Sequence, residues 1–162
     1  MASNLKNLSA YDKQGVPSAA GMRIGIVISE WNEEITQALL KGAYSTLLKH
    51  GADEEDIYLD YVPGSFELPL GAQTLLNTEE LDAVICLGCV IQGETRHFDF
   101  ICNAVSNGIM KVSLDLNVPV IFGVLTTNTL QQAKDRSGGK HGNKGDEAAI
   151  SAVKMVALQN GL

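Results

Sequence analysis

Apolar and polar positions along this chain fall into an alternating series. Arg23 to Ser29 (RIGIVIS) is an almost unbroken apolar run rich in β-branched residues, which predicts a strand buried on both faces. Asn32-Glu33-Glu34 follows, an N-cap residue type with acids in the first turn. Ile35, Leu39, Ala43 and Leu47 then recur at one spacing, predicting a helix to about His50 that Gly51 ends. Ile57 to Val62 (IYLDYV) predicts a second strand. Pro63-Gly64-Ser65 turns the chain into a helix from about Phe66 to Leu76, where Pro69 is tolerable only in the first turn. Ala83 to Ile91 predicts a third strand, and the stripe Ile101, Val105, Ile109, Val112 and Leu116 a helix from about His97. Val118 to Leu125 predicts a fourth strand, with Thr127-Asn128 capping a helix from Thr129 to about Arg136. A glycine-rich stretch, Ser137 to Gly145, leads into a last helix that Asp146 and Glu147 open and Gly161 closes.

Strands alternating with helices mean β-α-β units, so the fold class is α/β, a four-stranded parallel sheet with helices on both faces. Residues 1–21 are polar and carry Gly15, Pro17 and Gly21. They read as an N-terminal arm with one short strand around Leu8 to Lys13, and residues 22–162 as a single domain. A chain of 162 residues supports one domain with its own core.

The net charge of −7 argues against nucleic acid as a partner, since such a binder needs a basic surface to displace counterions. No apolar run approaches the ~18 residues that span a bilayer. The N-terminus lacks the layout of a signal peptide. The expectation is a cytoplasmic protein with no membrane partner. Cys86 and Cys89 form a nominal C-x-x-C inside a strand, where residues three apart point to opposite faces. They read, with Cys102, as buried small hydrophobes.

In this class ligands bind beyond the carboxyl ends of the strands. The loop Glu30-Trp31-Asn32 has no dinucleotide-binding glycines, Cys89-Val90-Ile91 offers no phospho-acceptor aspartate, and Gly138 to Gly145 does not spell a P-loop. Trp31, the single tryptophan, is either a half-buried packing residue or a stacking platform. Gly64-Ser65-Phe66-Glu67 puts a hydroxyl and a carboxylate at a helix start, which suits capping or a polyhydroxylated ligand. Gly93, Glu94 and Thr95 precede a helix, so their amides can face an anion. His97 is either an idle surface histidine or a proton-transfer group. Lys134, Arg136, Lys140 and Lys144 are four of the twelve Lys plus Arg and fall within eleven residues. Even scatter would leave about 0.8 there. A cationic, glycine-rich loop in an acidic protein points to an anionic ligand such as phosphate, against the alternative of a solvated patch.

VPGSFELP (62–69), LGCVIQGETRHFDFI (87–101), VPVIFGVLTTNTLQQA (118–133) and the R-x-G-G-K-x-G-N-K-G run (136–145), in this order on one α/β frame, resemble the lumazine synthase family of riboflavin biosynthesis. The resemblance runs from about Arg23 to Gly161. It implies a flavodoxin-like three-layer sandwich, with the arm adding a strand to a neighbour's sheet. It also implies homopentamers, some assembled into 60-subunit shells, with active sites at subunit interfaces. The implied reaction condenses 5-amino-6-ribitylamino-uracil with 3,4-dihydroxy-2-butanone 4-phosphate and needs no metal or other cofactor. In the implied site, Trp31 stacks on the pyrimidine and Ser65 and Glu67 bind the ribityl hydroxyls, with Asn32, Gly64 and Phe66 beside them. Val90 and Ile91 line the heterocycle pocket, and Gly93, Glu94, Thr95 and Arg136 hold the phosphate. His97 transfers protons, while Phe122, Arg136 and Lys144 come from the neighbouring subunit. Gln92 stands where the family commonly has a lysine or arginine, and Asp135 where glutamate is common. The compact Gly138 to Gly145 loop lacks the insertion associated with pentamer-only members, which leans towards the shell.

Overall fold

The computed structural model describes residues 6–161. Four parallel strands, β1 (Ile24–Ser29), β2 (Ile57–Val62), β3 (Ala83–Ile91) and β4 (Val120–Thr127), form one sheet in the order β2-β1-β3-β4. Helices α1 (Glu33–Lys49), α2 (Leu68–Thr78), α3 (His97–Leu116) and α4 (Leu130–Arg136) connect them or follow β4. A two-stranded ribbon, β5 (Ser137–Gly139) with β6 (Gly142–Asn143), leads into α5 (Lys144–Gln159). Among the described residues no helix is long and apolar enough to cross a membrane.

The strand alternation builds two cores. Ile24, Ile26 and Ile28 of β1 and Ala83, Ile85, Leu87 and Cys89 of β3 face one way. They pack with the predicted α1 stripe Ile35, Leu39, Ala43 and Leu47, and with Ala148, Ala152 and Val156 of α5. Val27, Val84, Cys86, Val120 and Val124 face the other way, against Leu68, Ala72 and Leu75 of α2 and Val105, Ile109 and Val112 of α3. The result is a three-layer, flavodoxin-like α/β sandwich. Its cysteines behave as small hydrophobes: Cys86 and Cys89 lie in opposite cores, and burial pushes each thiol up to about 12.

Helix ends follow local chemistry, with two corrections. Gly51 ends α1 at φ 97, the left-handed region where a Cβ is costly, as its sequence position predicts. Asn32, expected as a side-chain N-cap, instead adopts φ 62 and makes no cap hydrogen bond. Thr127 belongs to β4, and α4 is capped by Thr129, whose Oγ1 accepts from Gln132 N–H at 3.2 Å. Gln132 Oε1 in turn accepts from the N–H of Asn128, the residue before the cap, at 2.8 Å.

The strand expected at Leu8–Lys13 does not form in the single chain; the first five residues of the arm lie outside the described residues. A lone strand has no ladder to pair with. Leu8 N–H donates instead to His141 O at 2.7 Å, and Ser9 Oγ accepts from Asn143 N–H at 2.9 Å. A short 3-10 turn, Lys13–Gly15, is capped by Asp12, which accepts from Gln14 N–H.

Candidate active site

Strand order reverses between β1 and β3, and the crevice beyond their carboxyl ends is where this architecture binds ligands. An open depression of about 370 Å³ lies there, within the range of small-molecule sites. It gathers Trp31 and Asn32 from the β1–α1 loop, Gly64 to Glu67 from the turn after β2, Val90 and Ile91 from the end of β3, and His97 at the start of α3. Four segments separate in sequence thus supply nine of the predicted residues to one cavity. The cavity also takes in Cys89 and Ile101, which the sequence reading did not assign to a site. The signals were present: Cys89 precedes the predicted wall residues on the same strand, and Ile101 lies one helical turn after His97.

Trp31 is 73% exposed, which removes the packing alternative within one chain. Its backbone is fixed: Trp31 N–H donates to Pro63 O at 3.1 Å, and its carbonyl accepts from Ser29 Oγ at 3.3 Å. Phe66 is also exposed, so two aromatic faces flank the opening.

Neither polar group of the second loop acts as a helix cap. Ser65 opens the 3-10 turn Ser65–Glu67, and Glu67 stands at the N-cap position of α2 without a cap hydrogen bond. Ser65 Oγ is buried and has no hydrogen-bond partner, which singles it out among the described residues. Buried polar groups are almost always paired, and this one belongs to a residue lining the depression. Gly88 makes its position possible, because a Cβ there would lie 2.5 Å from Ser65 Oγ and 2.9 Å from Leu68 Cδ1.

His97 is exposed, and its backbone N–H lies 3.4 Å from Thr95 Oγ1. The turn before it is open: Gly93, Glu94 and Thr95 are exposed, and a Cβ on Gly93 would meet nothing within 4 Å. These three border the depression rather than line it.

The remaining predicted residues lie elsewhere in the chain. Phe122 is half-buried on β4 against the α2–α3 core. The cationic run is largely paired internally: Lys134 with Glu34 at 3.0 Å, Lys140 with Asp135 at 3.3 Å, and Lys144 with Glu147 at 2.8 Å. Arg136 donates to Gln132 O at 3.0 Å and, of the four cations, is the one without an ion pair among the described residues. Nearby carboxylates thus pair with three of the four cations, and none of the four lines the depression of its own chain. No group of three or more His, Cys, Asp or Glu is placed to hold a metal among the described residues.

The 6,7-dimethyl-8-ribityllumazine synthase family model matches residues 21–160. Proteins of that name resemble the chain along nearly its whole length. The one from Cytophaga hutchinsonii is 62% identical, covering 97% of this chain and 98% of its own. Those from Parabacteroides distasonis (56%; 96% and 98%) and Phocaeicola vulgatus (51%; 100% and 96%) are similar in extent. A match of this span, on a four-stranded parallel sheet flanked by helices, places the chain in the 6,7-dimethyl-8-ribityllumazine synthase family.

Proposed function

We propose that this chain condenses 5-amino-6-ribitylamino-uracil with 3,4-dihydroxy-2-butanone 4-phosphate to form 6,7-dimethyl-8-ribityllumazine, releasing phosphate and water. The observation that carries the reading is the depression itself, where two exposed aromatic faces, an unpaired buried hydroxyl and a histidine converge.

The pyrimidine stacks on Trp31 between it and the apolar wall of Val90 and Ile91. Ser65 and Glu67 bind the ribityl hydroxyls, with Asn32, Gly64 and Phe66 completing that side. The amides of Gly93, Glu94 and Thr95 face the phosphate, together with Arg136. The amine of the pyrimidine attacks the ketone, and loss of water gives a Schiff base. Phosphate then leaves, and the ribitylamino nitrogen closes the ring with loss of a second water. His97 moves protons between these steps, a contribution of about 10²–10⁴-fold. Holding the two reactants together supplies several kcal/mol more, on the order of the gain from proximity.

Phe122, Arg136 and Lys144 act across a subunit boundary, so the working form is a homo-oligomer. Their placement outside the depression of their own chain supports this reading. We take the assembly to be a cytoplasmic pentamer, with the compact Gly138–Gly145 loop favouring a 60-subunit shell. The test mixes both substrates with purified protein and follows lumazine absorbance; product no faster than the uncatalysed background would overturn the proposal. Light scattering after size exclusion tests the shared site, and a monomer would refute it.

A further inference from the structure

We propose that Asn32 is a positioning residue, whose side-chain amide latches the Trp31 platform to the β3 wall of the depression. The inference rests on the proposed function in one respect, that Trp31 is the surface on which the pyrimidine stacks.

The loop after β1 is held unequally on its two sides. Towards β2, backbone hydrogen bonds continue past the strand: Glu30 N–H to Val62 O at 2.8 Å and Trp31 N–H to Pro63 O at 3.1 Å. Towards β3, the ladder stops at Ile28 opposite Leu87. Beyond that point the hydrogen bond joining the loop to β3, among the described residues, is Asn32 Nδ2 to Cys89 O at 2.9 Å. Cys89 directly precedes Val90 and Ile91, so this bond ties the loop that carries Trp31 to the strand end that supplies the apolar wall.

The backbone of Asn32 separates its main-chain role from its side-chain role. At φ 62 and ψ 47 it is left-handed, a conformation that asparagine tolerates and glycine adopts without strain. Its carbonyl accepts from Ile35 and Thr36 N–H, so the same residue starts α1. Glycine would serve both backbone roles. What asparagine adds is the amide, and that amide goes to β3 rather than to the helix start, where its residue type would ordinarily cap. A latch of this kind keeps the platform in place before substrate arrives, so less ordering is left to the binding step.

Trp31 is the chain's single tryptophan, so its intrinsic fluorescence reports on the platform directly. Asn32→Gly keeps the left-handed backbone and deletes the latch. Asn32→Asp keeps the shape but turns an acceptor towards the Cys89 carbonyl. In both variants, at unchanged oligomer size and far-ultraviolet circular dichroism, the unliganded protein should show lower tryptophan anisotropy than wild type. KM for the pyrimidine substrate should rise roughly three- to tenfold. If the glycine variant does not fold, the aspartate variant carries the test. Unchanged anisotropy overturns the latch whatever happens to KM, since Asn32 would then act by touching substrate. Failure of the reaction itself appears separately, as absence of product with wild-type protein, and leaves the anisotropy comparison intact.

Discussion

Ser65→Ala should raise the stability of the unliganded protein while weakening substrate binding. The hydroxyl is buried, its residue is 6% exposed, and its Oγ has no partner. A buried hydroxyl left unpaired costs about 1–3 kcal/mol. Removing a single hydroxyl oxygen opens a void smaller than a methyl group, which costs at most ~1 kcal/mol. The net change is a gain of about 0–3 kcal/mol, or ~2–4 °C in Tm for each kcal/mol gained. Binding moves the other way, since one neutral hydrogen bond is worth about 0.5–1.5 kcal/mol, roughly 2- to 12-fold in affinity. The companion Gly88→Ala drives a Cβ to 2.5 Å from Oγ and should cost about 1–3 kcal/mol, as overpacking does. In the double variant the Oγ clash disappears, so the two changes should couple by ~0.5 kcal/mol or more. Urea unfolding at fixed protein concentration, with KM for the pyrimidine measured on the same preparations, reads all of these effects. Destabilisation of Ser65→Ala by more than about 1 kcal/mol would mean the hydroxyl has a partner and would refute the reasoning. Unchanged affinity would remove Ser65 from the site.

His97→Ala should lower kcat by about 10²–10⁴-fold with little change in substrate dissociation constants; steady-state rates beside equilibrium binding check it, and equal rates would remove the histidine from proton transfer. Cys86 and Cys89, whose thiols burial pushes up to about 12, should resist alkylation at pH 8.5 in the native protein, while half-buried Cys102 labels first; peptide mass mapping decides. Because the unfolded thiols ionise near ~8.5, these groups favour the folded state below that pH and lose their contribution as pH rises towards 12, so Cys86→Ala should flatten the fall of stability with pH above ~8.5, read by urea unfolding across that range. Asp135 is held below the usual carboxylate range by the Gln131 amide at 2.9 Å and then by Lys140, so its contribution is present above the unfolded value and is lost as pH falls through the folded one. Asp135→Asn should therefore flatten the acid limb of a stability–pH curve below ~3.9, and an unchanged limb would count against the pairing.

The fold was legible where pattern and punctuation agree. β3 and α3 have the boundaries their periodicity predicts, because the polar turn Gln92–Arg96 separates them and Asn117, left-handed at φ 53, stops the helix. β4 is displaced by two residues at both ends for reasons no periodicity carries. Val118 N–H still serves α3, donating to Ser113 O at 3.2 Å, so the ladder opens at Val84 opposite Val120. At the far end Thr126 and Thr127 read as loop, but the register gives them Val90 and Ile91 as partners. The arm was illegible for a different reason: its described part is held by single contacts far apart in sequence, such as Leu8 N–H to His141 O, which leave no periodicity.

In the site, sequence identified residue types but not which of their groups were already engaged. Capping and ligand binding call for the same side chains at the same helix starts, so Ser65, Glu67 and Asn32 stayed ambiguous until their partners were known. Asn32 is engaged with Cys89; Ser65 Oγ is not engaged at all. The cationic run makes the same point with charge. Counting lysines and arginines along the chain finds a cluster, but Glu34, far away in sequence, and Glu147, on the following helix, take up two of its four charges, and Asp135 within the run takes a third. Local charge density thus overstates what an anion would meet. The group that density cannot distinguish is Arg136, which among the described residues has no carboxylate partner and gives one N–H to the Gln132 carbonyl at the end of α4.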